Sequence, residues 1–355
     1  MKRRNFIKNT VATAAASSLA GKVMAGNEHG FQLKESSSEK ILNAYYFRAH
    51  MYTVVPRQVR EDMLWMADKG TNVISVAILE QDLWAAVENV EIICNEAAKV
   101  GIDVHAVPSR WGGIVAGAPK VPSIFTITHP ETYVLEKDGT PTGSSVSGRK
   151  SSIHHPTTLE FVQTTILKCI DLWDIKGLVW DEPKTLGIDY SPMALKNMGP
   201  NPTEAQQVNA NVNFYTSINK AIKDKHPDFI TGMFLQADKS DLSAFGAAKT
   251  GYMDYYGCDG RPWRNEDGGK QESSGKVLLG NGERFLQAAR ENNKKTLWLA
   301  ENHNMLDEDA KLMDKRMPEI LEKDVDQLIY YYYPRNLQSP DKIINVVAKH
   351  IKKFR

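Results

Sequence analysis

Two acidic side chains stand where apolar runs stop: Glu182 in Gly177-Leu-Val-Trp-Asp-Glu-Pro183, and Glu301 in Thr296-Leu-Trp-Leu-Ala-Glu-Asn-His303. A buried strand has no use for charge until it reaches the rim of a cleft, so a carboxylate ending such a run, followed by Pro or Asn-His, is placed for chemistry. Two carboxyl groups that face one bond can divide the work. One keeps its proton and passes it to a departing oxygen, while the other stays ionised and attacks carbon.

That division needs a scaffold that brings both groups to one end. Strand runs at 41–48, 73–79, 103–108, 177–180, 229–235, 252–256, 296–300 and 327–333 alternate with helical patterns at 56–69, 84–100, 157–173, 203–225, 240–249, 282–293, 308–323 and 340–354. Pro56 and Pro340 fit a first helical turn, and Asn-Pro-Thr-Glu precedes the fourth helix. Eight strand-then-helix repeats in one domain, spanning 40–355, predict an α/β fold of the (β/α)8 TIM-barrel type. One long loop, 111–156, follows strand three. Its Gly, Ser, Pro and His content predicts a cover over the top of the barrel, with a small hairpin over 132–140 turning at Asp138-Gly139.

Barrel sites are built at the carboxyl ends of the strands. In strand order, those ends carry Arg48 and His50; Glu80 and Asp82; Arg110 and Trp111; Asp181 and Glu182; Gln236; Tyr256 and Asp259; Glu301, Asn302 and His303; and Tyr332 to Arg335. Aromatic faces suit the apolar faces of pyranose rings, and carboxylates, Arg and Asn suit their hydroxyls. Trp65, Trp84 and Trp173 fall on helices and are expected to pack. His105 lies mid-strand, and His129, His154 and His155 read as polar loop residues.

Glu182 after strand four and Glu301 after strand seven, with Asp181 before the first, a Tyr after strand six and aromatics after strand eight, resemble the clan of barrel glycoside hydrolases that place acid/base and nucleophile at those two ends. The resemblance implies Glu182 as general acid/base and Glu301 as nucleophile of a retaining glycosidase acting on a carbohydrate, with no cofactor. Substrate-contact candidates are Arg48, His50, Trp111, Asp181, Tyr256, Asn302 and His303. In that clan the residue before the strand-four glutamate is commonly Asn. Asp181 departs from the pattern, because an ionised carboxylate accepts where an amide donates. Trp180 and Asp181 are expected to raise the pKa of Glu182, with Tyr255 or Tyr256, His303 and Arg48 holding Glu301 charged. Arg149 and Lys150 in the long loop, with Arg48, Arg110 and Arg335 on the rim, would suit an acidic sugar.

Two other classes use the same rim. A metal-dependent sugar isomerase or epimerase barrel would conscript Glu182, Gln236, Asp259, Glu301 and His303, but lacks a His on strand five and an acid on strand eight. A non-catalytic glycan-binding barrel would keep the aromatics and leave the acids incidental.

The N-terminal segment Lys2-Arg3-Arg4-Asn5-Phe6-Ile7-Lys8, with an Ala-rich stretch ending at Ala25, reads as a twin-arginine export signal over 1–25, followed by a disordered tether over 26–39. This predicts a periplasmic or extracellular protein. Cleavage would remove five cations and no anion, so the 44 basic residues would become 39 against 43 acidic ones. That balance, with no basic cluster interleaved with aromatics, argues against nucleic acid as a partner. Cys94, Cys169 and Cys258 have no knuckle spacing and are expected to be buried packing residues.

Overall fold

The computed structural model describes residues 40–117, 120–145, 147–260, 280–332 and 338–355. The expected export signal and tether, and Tyr333, Pro334 and Arg335, lie outside them.

Eight parallel strands close into a barrel: β1 (Ile41–Tyr45), β2 (Val73–Ile78), β3 (Asp103–Pro108), β4 (Gly177–Asp181), β5 (Ile230–Gln236), β6 (Tyr255–Gly260), β7 (Lys295–Ala300) and β8 (Gln327–Tyr331). Closure is made by β8 against β1, in register from Ile41 with Gln327 to Tyr45 with Tyr331. Around it lie α1 (Pro56–Asp68), α2 (Val87–Ala98), α3 (Pro156–Leu172), α4 (Glu204–Lys225), α5 (Asp241–Ala247), α6 (Gly282–Glu291), α7 (Asp309–Leu321) and α8 (Pro340–Ile351). Local chemistry sets several starts. Pro56, Pro156 and Pro340 occupy first turns, Ser240 caps α5, and Thr203 with Gln206 forms a capping box at α4.

Because strand side chains alternate, each strand feeds two cores. Tyr45, Val107, Val179, Phe234, Leu297, Leu299 and Ile329 fill the barrel, while Leu42, Val76, Trp180, Tyr256, Trp298 and Tyr330 pack between strands and helices. The interior is tight. A Cβ on Gly257 of β6 would stand 1.7 Å from the Leu297 carbonyl oxygen of β7, so only glycine lets these strands approach. Cys94, Cys169 and Cys258 are buried and unbridged.

Sequence and structure part in three places. Strand six starts three residues later than expected and runs on to Gly260. The helix expected over 84–100 is broken into a single turn, Asp82–Ala85, and α2. The break leaves Trp84 68% exposed instead of packed. Extra helices Ile124–Thr128 and Pro192–Met198 lie in the connections flanking α3 and β4.

The long insertion after β3 contains the expected turn at Asp138-Gly139, with Asp138 Oδ1 accepting from Thr140 N and Oγ1 at 2.9 and 2.7 Å. A two-residue ladder joins Gly143–Ser144 to Gly148–Arg149. Buried Glu80, at the end of β2, anchors the insertion by accepting from Gly112 N, Ser123 Oγ and Phe125 N. Burial still pushes this carboxyl up, against those bonds. Among the described residues no helix is long and apolar enough to cross a membrane.

Candidate active site

The carboxyl ends of β4, β6 and β7 each present an acid. Asp181 is the last residue of β4 and 5% exposed; Asp259 lies one residue from the end of β6 and is also 5% exposed; Glu301 follows β7. The Glu301 amide donates to the Gly260 carbonyl at 3.0 Å, carrying the β6–β7 ladder one step past the strands. Glu182 follows Asp181 with φ at +40°, in the left-handed region and directly before Pro183. A non-glycine residue holds that conformation only where its surroundings impose it. Here the insertion clamps both sides: Ala116 N donates to the Asp181 carbonyl and Lys184 N to the Ile114 carbonyl, each at 2.7 Å. The clamp turns the Glu182 side chain into the cluster, 18% exposed, where it meets both Lys184 and Asp259.

Four carboxyl groups within mutual electrostatic reach cannot all ionise away from water, and their environments separate them. Burial lifts Asp181 to about 8, helped by the charge of Glu182. Burial, then the charge of Glu182 and the hydrogen bond to it, holds Asp259 far above the ordinary carboxylate range. Burial also pushes Glu182 up, but the hydrogen bond from Asp259 and the Lys184 ammonium outweigh it, leaving Glu182 below its usual value. The expectation that Trp180 and Asp181 would raise Glu182 is therefore corrected. Trp180 points outward, donating from Nε1 to Asn219 Oδ1 on α4 at 3.0 Å, and does not desolvate the acid. Within the Asp259–Glu182 pair a proton is therefore favoured on Asp259 and the negative charge on Glu182.

Two tyrosines lie among these acids. Burial, then the surrounding carboxylates, pushes both Tyr45 and Tyr331 well up, and Tyr331 responds most strongly to Glu301. Their rings meet edge to face at 5.2 Å, and His303 packs on Tyr331 at 4.4 Å. The Tyr45 hydroxyl is buried with no hydrogen-bond partner among the described residues.

Of the expected substrate contacts, Asp181 and His303 stand in the cluster, with His303 Nε2 3.1 Å from Glu301 Oε1. His50 pairs through Nδ1 with Asp82 at 3.0 Å. The others are engaged elsewhere. Arg48 bonds Asp62 on α1, as do the Tyr46 and Tyr332 hydroxyls, so it supports neither Glu301 nor a ligand there. Trp111 is 1% exposed and donates Nε1 to the Ile78 carbonyl at 2.8 Å, which makes it an anchor of the insertion rather than an open platform. Tyr256 is fully buried behind β6, donating to the Ala244 carbonyl at 2.7 Å. Asn302 spends its amide on the β8 backbone, donating to Tyr331 O and accepting from Tyr331 N at 3.0 and 2.7 Å.

Sequence reasoning missed Lys184, Tyr45 and Tyr331 as site residues and gave Asp259 only to the metal alternative. Parity was the available signal: Tyr45, Asp181, Asp259, Glu301 and Tyr331 share the inward phase of their strands. Among the described residues, no group of three or more His, Cys, Asp or Glu is arranged to hold a metal ion. Glu182 and Asp259, two ligands the metal-dependent alternative would use, are instead joined by a hydrogen bond.

No family model and no curated protein matches this chain. Solved structures do. A β-galactosidase from the Antarctic haloarchaeon Halorubrum lacusprofundi superposes with a TM-score of 0.60 at 14% identity, covering 88% of this chain and 58% of the other. For a β-galactosidase from Bacillus circulans sp. alkalophilus the values are 0.62, 11%, 89% and 56%. An endo-1,4-β-mannanase from Rhizomucor miehei gives 0.58 at 10% identity, covering 88% of this chain and 94% of that one. The chain thus spans little more than half of the galactosidases, and at these identities the likeness is one of fold.

Proposed function

We propose that the chain is a glycoside hydrolase that cleaves with retention, using Glu301 as nucleophile and the Glu182–Asp259 pair as the acid/base. The observation that carries this reading is that Glu182 meets Asp259 and Lys184 at the strand ends where Glu301 also stands, an arrangement that favours a proton on Asp259 and charge on Glu182. In the first step the pair gives that proton to the glycosidic oxygen. The carbon–oxygen bond breaks with its electrons on the leaving group, and a Glu301 oxygen bonds to the anomeric carbon. In the second, the pair takes a proton from water, whose oxygen displaces Glu301. Lys184 keeps Glu182 anionic between turnovers, and Asp181, protonated below about pH 8, donates a hydrogen bond to a sugar hydroxyl as the clan's usual Asn would. No cofactor is needed.

The fold neighbours act on galactosides and mannans by their names, which makes nitrophenyl galactosides and mannosides, galactan and mannan the first panel. Glu182→Gln and Glu301→Gln should each lower turnover by about 10²–10⁴-fold while the fold melts as before; full activity in either variant overturns the assignment. Export through residues 1–25 is part of the proposal, tested by finding the mature chain in a periplasmic or culture fraction.

A further inference from the structure

Beside the carboxyl cluster, the insertion and the segment after β4 enclose a cleft of about 380 Å3, lined by Val134, Thr142, Lys150, Ser151, Lys184 and Tyr190 among others. Its size falls within the roughly 300–1,000 Å3 of small-molecule sites. Lys184, one of the residues of its lining, ion-pairs with Glu182 and so links the cleft to the acid/base pair. Lys150 is different. Its backbone is fixed by bonds to Val134 and Thr142, its side chain is half-buried, and among the described residues its ammonium has no hydrogen-bond or ion-pair partner. Burial and the charges of Lys184 and Lys239 all work against its proton. Two acids line the same cleft, but neither bonds the ammonium: exposed Glu136 favours its proton only through space and accepts from Thr142 Oγ1, and buried Asp189 is occupied by Leu135 N and by Ser191 N and Oγ. Among the described residues, the other cations expected to read an acidic sugar are engaged: Arg48 on Asp62, Arg110 on the Gly117 carbonyl and Arg149 on that of Pro141.

We propose that this cleft is a subsite for an anionic sugar, in which Lys150 takes the carboxylate or sulfate of the residue adjoining the scissile bond. A bound anion would satisfy a half-buried cation that has no partner among the described residues, and would relieve its repulsion from Lys184. Hydroxyls of Thr142 and Tyr190 line the same walls. The inference rests on the glycoside-hydrolase reading and names the substrate class.

The test is calorimetric titration of the full chain with glucuronic acid, galacturonic acid, galactose 6-sulfate and, as the neutral control, galactose. The charged sugars should bind at least about tenfold more tightly than galactose. Lys150→Ala and Lys150→Gln should abolish that preference, and Lys150→Arg should retain most of it. Whichever of carboxylate or sulfate binds more tightly identifies the group. Equal affinity for charged and neutral sugars, or a preference undiminished in both neutral variants, overturns the subsite. Selective binding without cleavage of any nitrophenyl glycoside or uronide keeps the subsite and sinks the hydrolase reading. Cleavage of neutral glycosides with no anion preference does the reverse.

Discussion

Asp259 at the end of β6 hydrogen-bonds Glu182 at the end of β4, and the two carboxyls settle on opposite sides of the ordinary range, Asp259 far above it and Glu182 below. The direction of the split comes from Lys184, which ion-pairs with Glu182. A proton on Asp259 leaves that ion pair intact, whereas one on Glu182 would leave the half-buried ammonium without its partner.

Asp259→Asn should therefore cost acid catalysis and spare the rest. The amide still donates to Glu182, but it has no proton to give. Turnover of alkyl glycosides, whose leaving oxygen needs protonation, should fall about 10²–10⁴-fold. Dinitrophenyl glycosides, whose leaving group departs as an anion, should lose far less. Steady-state kinetics on the two classes make the comparison, and equal losses would place Asp259 outside the proton path.

Lys184→Met removes the charge that holds Glu182 down. Its pKa then rises, so the pair takes up its second, inactivating proton at a higher pH than in the parent. The acid limb of the kcat/KM profile should move up by roughly one unit or more. An unmoved limb would show that Lys184 does not set the ionisation of Glu182.

Asp181 stays protonated in the fold up to about pH 8, whereas in the unfolded chain it ionises near the ordinary carboxyl value of 3.8. Between these limits the unfolded state releases a proton that the native state retains. Its contribution is thus most favourable below about pH 4 and is lost progressively as pH rises to about 8. Asparagine does not titrate. Asp181→Asn should melt within a degree or so of the parent at pH 4.5 and more than ~3 °C above it at pH 8.5, as followed by calorimetry. A pH-independent difference would contradict the buried, protonated state.

Much of the architecture was legible because a barrel writes the same sentence eight times: apolar runs that end in polar residues, followed by helices punctuated with Pro, Ser and Thr. Glu182 and Glu301 stood out for the same reason. The errors trace to phase. The expected strand six starts three residues early, because Gly257, Asp259 and Gly260 have poor strand propensity, so Tyr256 is expected at the rim when it sits behind the sheet, and Asp259 is assigned only to the metal alternative. A one-residue error in phase exchanges the two faces of a strand. Trp111, Arg48 and Asn302 have the right chemistry at the right ends, but their partners, the Ile78 carbonyl, Asp62 and the Tyr331 backbone, come from distant segments that no local pattern reveals. Lys184 was hidden by being ordinary, one lysine among 44 basic residues, two positions beyond Glu182 and turned toward it only by the strained backbone before Pro183.

The central claim is that Glu301 attacks an anomeric carbon, and covalent trapping tests it most directly. Incubation with dinitrophenyl 2-deoxy-2-fluoro galactoside, mannoside and glucuronide should release one equivalent of dinitrophenolate per chain with at least one of the three. Intact mass should rise by one fluoroglycosyl unit, and peptide mapping should place it on Glu301. Failure of all three reagents to label a chain that turns over the parent glycosides, or a label on any other residue, would contradict the account.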